Sequence, residues 1–323
     1  MSPLVVSTRP LPEPSLSTLV PDFELRVLGY APAELELAAE VGEAEALITI
    51  VADPVTEKVM RSAPKLKIVA QYGVGVDNID RAAAAARGIL VTNTPNALTE
   101  ATADLTMALL LSLARRILEG DRLVRAGGYS GWRPDLLLGW DLKGKVLGIA
   151  GPGRIGRAVA RRARAFGMTV IAFGRSARDE ADPDDPPRVS FEELLRRSDV
   201  ISLHLPLTDE TRHLFSRETF AKMKPGSYLI NTARGALVDE TALTRALDEG
   251  PLAGAGLDVF EHEPAITPAL ADDDRVVLMP HAGSATVETR REMARMVVED
   301  VRRVLTGKKP LRPVSPPAPE RRR

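Results

Sequence analysis

The chain has 323 residues, 44% of them apolar and 27% charged, with a formal net charge of −1. That length suits about two domains, and the near-neutral balance argues against a broad nucleic-acid or membrane footprint. Cysteine is absent, which excludes disulfides, thiolate catalysis and thiolate-bound metal, and His204, His213, His262 and His281 lack zinc-site spacing.

The first twenty residues carry Arg9, Pro10, Glu13 and Pro14 where a secretion signal would be apolar, so a cytoplasmic protein is expected. Short apolar runs follow: LVVS (4–7), LRVLGY (25–30), ALITI (46–50), KIVAQYG (67–73) and ILVTNT (89–94). A helix is predicted over 99–118, apolar on nearly every face from Leu105 to Leu113. It is too short and interrupted to cross a bilayer. A helix apolar all round needs cover on all sides, which suggests a domain seam or a subunit interface, and the interface is favoured over a plain core position. GYSGWRPDLLLGW (128–140) reads as a long loop.

The second half adds KVLGIAG (145–151), TVIAFG (169–174), DVISLHLP (199–206), SYLINTA (227–233), AGAGLDVF (253–260) and RVVLMP (275–280). Helical patterns lie between them, as at 157–166 and 240–247. Unalternating β-rich runs separated by helices specify an α/β fold with parallel sheets covered on both faces. The Pro- and Arg-rich tail PLRPVSPPAPERRR is expected to be disordered.

Gly151, Gly153 and Gly156 fit G-x-G-x-x-G between a strand and a helix. The first glycine allows the turn, the second lets a pyrophosphate approach the backbone, and the third lets the helix pack against the strand. Backbone N–H groups at the helix start favour the anion. The next strand ends at Gly174, Arg175 and Ser176, where a carboxylate for the ribose 2′-hydroxyl of NAD is missing. A guanidinium and a hydroxyl stand ready for a 2′-phosphate instead. NADP(H) is therefore the expected cofactor, with NAD(H) as the alternative.

Ligands of open parallel sheets sit beyond the carboxyl ends of the strands. Those ends hold the glycine loop, Arg234, Asp258 with Glu261, His262 and Glu263, and His281. Hydride transfer to a carbonyl needs a proton donor that works near neutral pH, which suits His281. A neighbouring carboxylate would orient its ring. An arginine fork would grip the acid group of a 2-oxo acid.

The motifs YGVGVDNID (72–80), NTPNALTEATADLT (93–106), GPGRIG (151–156), INTARGALVDE (230–240), GLDVFEHEP (256–264) and MPHAGSAT (279–286) run in order across about residues 45–305. With these motifs the chain resembles the D-2-hydroxyacid dehydrogenases, most of all their glyoxylate/hydroxypyruvate reductases. The resemblance implies a flavodoxin-like substrate domain (1–98) and a Rossmann cofactor domain (99–285) with a cleft between them. Residues 286–323 would return a C-terminal helix to the substrate domain and end in the tail.

The resemblance also implies roles. His281 would be the acid/base, Glu263 its partner, and Arg234 the grip on the substrate carboxylate and 2-oxo group. Val74 and Gly75 would offer backbone N–H groups to that carboxylate. Asp258 would hold the nicotinamide carboxamide. Thr102, Gly151, Gly153, Arg154, Ile155, Gly156, Arg175, Ser176, His204, Pro206, Thr211, Thr232, Ala233 and Gly283 would line the cofactor. NAD-using members usually carry Asp where Gly174 stands, and Ala282 replaces a residue that is commonly larger. The helix after Thr99 would belong to the dimer core; Trp132 and Trp140 either simply pack the 128–140 loop or, as the resemblance suggests, that loop would reach the partner's cleft, with Trp140 tuning selectivity.

His262 and His213 read as solvated surface residues and His204 as packing beside the cofactor. Two rival readings remain: a dehydrogenase of another 2-oxo acid (2-ketogluconate, branched or aromatic), and a nucleotide-sensing, corepressor-like binding protein. The intact set Arg234, Glu263 and His281 favours catalysis on a small 2-oxo acid, with neither nucleic acid nor membrane as partner.

Overall fold

Each apolar run read from the sequence forms a strand in the computed structural model, which describes residues 2–174 and 185–316. β1 (Leu4–Ser7), β2 (Glu24–Val27), β3 (Ala44–Thr49), β4 (Ile68–Gln71) and β5 (Leu90–Thr92) make one sheet in the order β2-β1-β3-β4-β5, every pair parallel. This is the flavodoxin-like order. β1 and β4 bury all their residues, as strands covered on both faces do, whereas β2 at the edge is mostly exposed.

β6 (Val146–Ala150), β7 (Thr169–Phe173), β8 (Val200–Leu203), β9 (Ser227–Asn231), β10 (Leu252–Leu257) and β11 (Val276–Leu278) make the second sheet. Its order is β11-β10-β9-β8-β6-β7, again parallel throughout. A parallel bridge from Ala172 to Arg188 extends the edge beyond β7. Counting that bridge as a rudimentary third strand gives the Rossmann order, with the direction of progression reversing between β6 and β8.

The chain divides into two compact units. One comprises the residues up to Leu98 and those from Ala285 on; the other is Thr99–Ser284. In the first unit the helix Val287–Leu305 lays Met293, Val297 and Val301 on the face of β3 and β4 that also holds Leu16 and Leu19. Thr286 caps it, its hydroxyl accepting the Thr289 N–H at 3.2 Å. In the second unit Phe215, Phe220 and Leu243 fill one side of the sheet, and Leu109, Leu110 and Val159 the other.

Two expectations need correction. The helix predicted over 99–118 stops at Ala114, because Arg116 is left-handed (φ 52°), and a new helix runs over Ile117–Arg125. The Arg116 guanidinium, paired with Glu119 at 2.5 Å, sits across the break. Within its own unit the helix Thr99–Ala114 buries Ala103, Met107, Leu109, Leu110 and Leu113 against the helix Arg154–Ala165 and β9, β10 and β11. Most of its apolar surface is thus core. The uncovered apolar surface follows it, at Ile117, Leu118, Val124, Tyr129, Trp132 and Leu138.

Trp140 follows the packing alternative within its own unit. It stacks on Tyr228, ring centroids 4.9 Å apart, and joins the unit's own core, whereas Trp132 is 81% exposed. The tail, last, is not loose as far as Pro316. Pro313 bridges Thr92, Val314 donates to Val91, and the mostly buried Arg312 reaches Glu299 and Asp300. The final seven residues lie outside the described residues.

Candidate active site

β10 and β11 end side by side, and the segments that leave them are stitched together. The His281 N–H donates to the Asp258 carbonyl at 2.8 Å. The Asp258 carboxylate accepts Ala282 N–H at 2.6 Å through Oδ1 and Gly283 N–H at 2.8 Å through Oδ2. Burial raises this carboxyl above its ordinary value, more than those two N–H groups and the His281 charge lower it. His281 itself is left-handed (φ 52°), a strained conformation for histidine that the surrounding bonds over-determine.

The imidazole Nδ1 lies 2.8 Å from Glu263 Oε2, with a third of each side chain exposed. An ionised carboxylate only accepts, so Nδ1 carries the proton and Nε2 is left as the reactive nitrogen. The second Glu263 oxygen accepts the Phe260 N–H at 3.0 Å. Burial pushes the Glu263 carboxyl up, but His281, that N–H and the Arg234 charge outweigh it and hold the group below its ordinary range.

Residues to which the sequence reading assigns no role brace this loop. The Glu261 N–H donates to Glu240 Oε1 at 2.8 Å and the Glu240 N–H donates to Glu261 Oε2 at 3.2 Å, a reciprocal clamp. Thr267 donates to the other Glu240 oxygen, and His213 Nε2 lies 2.6 Å from Glu261 Oε1. His213, a surface residue as expected with its side chain 41% exposed, is thus also a partner of the brace. His262 is 78% exposed at its side chain, as expected.

Arg234 leaves the end of β9 through a turn that Asn231 holds from both sides, accepting Ala233 N–H at 3.0 Å and donating to the Arg234 carbonyl at 2.8 Å. Thr232 Oγ1 sits 2.9 Å from Thr106 Oγ1, Thr106 donates to the Thr102 carbonyl, and Thr102 donates to the Gly283 carbonyl at 3.1 Å. A chain of buried hydroxyls therefore ties the β9 turn to the histidine segment.

The glycine loop at the end of β6 fits a dinucleotide. Gly151 has φ +94°, and a Cβ there would lie 2.7 Å from the His204 carbonyl. A Cβ on Gly156 would lie 2.6 Å from the Gly151 oxygen, so the helix packs as close as glycine allows. At Gly153 a Cβ would meet nothing within 4 Å, leaving open space over the loop. Arg154 and Ile155 open the helix Arg154–Ala165 behind it. That combination suits the approach of a pyrophosphate.

His204 backs the loop, its Nε2 2.8 Å from Ser202 Oγ, and burial pushes its pKa down to about 3. Past β8, the Thr211 hydroxyl donates to the Pro206 carbonyl at 2.7 Å. Arg175 and Ser176 lie outside the described residues. Gly174, beside them, has φ +150°, with Pro152 Cδ 2.8 Å from where its Cβ would be.

Val74 and Gly75 belong to the other unit, just past the carboxyl end of β4, with their carbonyls held by side-chain amides. Among the described residues, no cluster of three histidine or acidic residues is arranged to hold a metal, and no helix is long and apolar enough to cross a membrane.

Residues 107–283 match the model of the "D-isomer specific 2-hydroxyacid dehydrogenase, NAD binding domain". A glyoxylate reductase of Thermococcus litoralis is 49% identical over 93% of this chain and 93% of its own length. A glyoxylate reductase structure from Paecilomyes thermophila superposes with a TM-score of 0.87 at 36% identity, covering 97% of this chain and 98% of that one. The NADPH-dependent glyoxylate/hydroxypyruvate reductase of Sinorhizobium meliloti, solved with NADP and malonate, gives 0.89 at 33% identity over the whole of both chains.

Proposed function

This chain belongs to the D-isomer specific 2-hydroxyacid dehydrogenase family and is an NAD(P)-dependent dehydrogenase, and we propose that it reduces glyoxylate or hydroxypyruvate to the D-2-hydroxy acid, with NADPH preferred over NADH. The observation that carries the chemistry is the 2.8 Å pair of His281 and Glu263, with the Arg234 charge helping to lower the same carboxyl. The names of the relatives support the substrate class.

The nicotinamide, when bound, supplies the hydride. His281 Nε2 gives its proton to the carbonyl oxygen as charge develops there, and takes it back in the oxidative direction. Glu263 holds the ring in the Nδ1–H form and compensates the imidazolium. Arg234 grips the substrate carboxylate and 2-oxo group with its fork of donors, and the Val74 and Gly75 N–H groups take the same carboxylate.

Gly151, Gly153, Arg154, Ile155 and Gly156 hold the pyrophosphate. His204, Pro206, Thr211, Thr232, Ala233, Thr102 and Gly283 line the cofactor. Asp258 fixes the histidine segment first. Each of its oxygens keeps a second lone pair, so the nicotinamide carboxamide remains within its capacity. The NADPH preference rests on Gly174, which offers no carboxylate, and on Arg175 and Ser176 after it. Residues 1–98 serve as the substrate domain, 99–285 as the cofactor domain, and 286–323 return to the first. The exposed apolar residues over 117–138 support a homodimer through this region.

Initial rates with glyoxylate or hydroxypyruvate and either NADPH or NADH test the proposal. Turnover with NADPH well above that with NADH is expected. Turnover with NADH alone would discard the cofactor preference. No turnover with either, alongside good turnover of a larger 2-oxo acid, would discard the substrate.

A further inference from the structure

The turn after β4 shows three consecutive carbonyls pinned from behind. The Gly73 oxygen accepts the Thr94 N–H at 2.9 Å, the Val74 oxygen accepts Asn93 Nδ2 at 2.7 Å, and the Gly75 oxygen accepts Gln71 Nε2 at 3.0 Å. All these peptides are trans. In a trans peptide the N–H points opposite to the C=O. Pinning the three carbonyls therefore turns the N–H groups of Val74, Gly75 and Val76 away from their anchors. Among the described residues none of the three N–H groups has an acceptor. In an extended chain successive carbonyls point to opposite sides, yet here the Gly73 and Val74 carbonyls both meet the segment that follows β5. Their N–H groups accordingly share the other side, the arrangement that makes a backbone concavity for an anion.

The anchors are themselves fixed. Asn78 Nδ2 donates to the carbonyls of Ile50 and Asp53, so its oxygen must face Gln71, and Gln71 must present its NH2 group to Asn78 at 2.8 Å and to Gly75. Gln71 is fully buried, and its own oxygen has no partner among the described residues. An unmade bond on a buried acceptor is costly. A residue kept only to fill this space would not need that oxygen, whereas a donor at this point serves Gly75.

We propose that Gln71 and Asn93 are positioning residues that hold this turn as a carboxylate cradle, and that through it they set the enzyme's preference for 2-oxo acids over carbonyl compounds without the acid group. The inference rests on the reading that Val74 and Gly75 receive the substrate carboxylate. Neither side chain touches substrate; each acts by fixing a peptide plane.

The test compares kcat/KM for glyoxylate with that for glycolaldehyde, which lacks the carboxylate, in the NADPH-loaded full chain and in Asn93→Leu and Gln71→Met. Asn93 is only half-buried, so its variant keeps the test open if Gln71→Met folds poorly. Losing one well-aimed bond to a charged group is worth roughly tenfold or more. The acid-to-aldehyde ratio should fall by about that factor in Asn93→Leu, mainly through KM for glyoxylate, with NADPH affinity retained. A ratio that stays at the wild-type value while both substrates decline alike would reduce both residues to structural staples and overturn the proposal. A wild-type enzyme that does not prefer glyoxylate to glycolaldehyde would instead overturn the underlying reading, and the proposal with it.

Discussion

The two sheets are built alike, yet their carboxyl ends carry different chemistry. The six-stranded sheet ends in ionisable side chains: Arg234, Asp258, Glu263 and His281. The five-stranded sheet ends in backbone, with the Val74 and Gly75 N–H groups turned out by pinned carbonyls. Carboxylates do lie there: Asp53, which Thr8, Thr49, the Ile50 N–H and Arg9 already satisfy, and the exposed Asp77 two residues past Gly75. Under the proposed function the difference becomes a division of work: groups that must change charge stand on one sheet, and groups that must only hold charge stand on the other. Backbone donors do not titrate, so in that proposal they would hold an acid group equally well across the working pH range.

The sharpest way to break that division is His281→Ala. With the proton donor gone, kcat should fall by about 10²–10⁴-fold, while NADPH quenching titrations show binding retained. Substantial residual turnover would move the titrating group elsewhere. Glu263→Gln should cost less, roughly 10- to 100-fold in kcat, because the ring keeps a partner but the imidazolium loses its countercharge.

Glu263 also carries a pH signature. Its carboxyl sits below the ordinary value of 4.5, so its contribution to stability is complete above that value and fades as the pH falls beneath it. Thermal melts of wild type and Glu263→Gln should therefore differ at pH 7 and converge under acid. A gap that persists undiminished under acid would show that the pair contributes packing rather than charge.

A third variant probes the cofactor end. Gly174→Asp restores the carboxylate that NAD users carry, but into a φ of +150° with Pro152 Cδ 2.8 Å from the new Cβ. The expected result is weaker use of NADPH without efficient use of NADH. A clean switch to NADH would show that the turn relaxes at little cost. The smallest effect belongs to His204. Held near a pKa of about 3 by burial, it is neutral throughout the working range. His204→Gln should therefore leave both limbs of the pH–rate profile in place, and a displaced limb would make it part of the proton path.

Much of this was legible in the sequence. The strands were readable because parallel strands buried on both faces are continuous β-rich runs, and the glycine turn because its first and third glycines answer steric needs seen at Gly151 and Gly156. The pair His281 and Glu263 was expected only through the resemblance, and their 2.8 Å contact shows that the fold can assemble it. The helix break was hidden, since Arg115 and Arg116 carry no glycine or proline to announce a left-handed residue. The strap over β5 was hidden by composition, for a Pro- and Arg-rich tail reads as solvated until Arg312 finds Glu299 and Asp300. The braces formed by Asn231, Glu240, Glu261, Gln71 and Asn93 were invisible for another reason. They are side chain-to-backbone bonds set by local turn geometry or by pairing across the fold, and they leave no periodicity to read.

The most direct test of the central claim is the pH dependence of kcat/KM in both directions, for wild type and His281→Ala. With His281 as the proton donor, reduction of glyoxylate should fall as the pH rises, oxidation of the 2-hydroxy acid should rise, and both dependences should vanish in the variant. A reduction rate that climbs steadily from neutral to high pH in the wild type would contradict it.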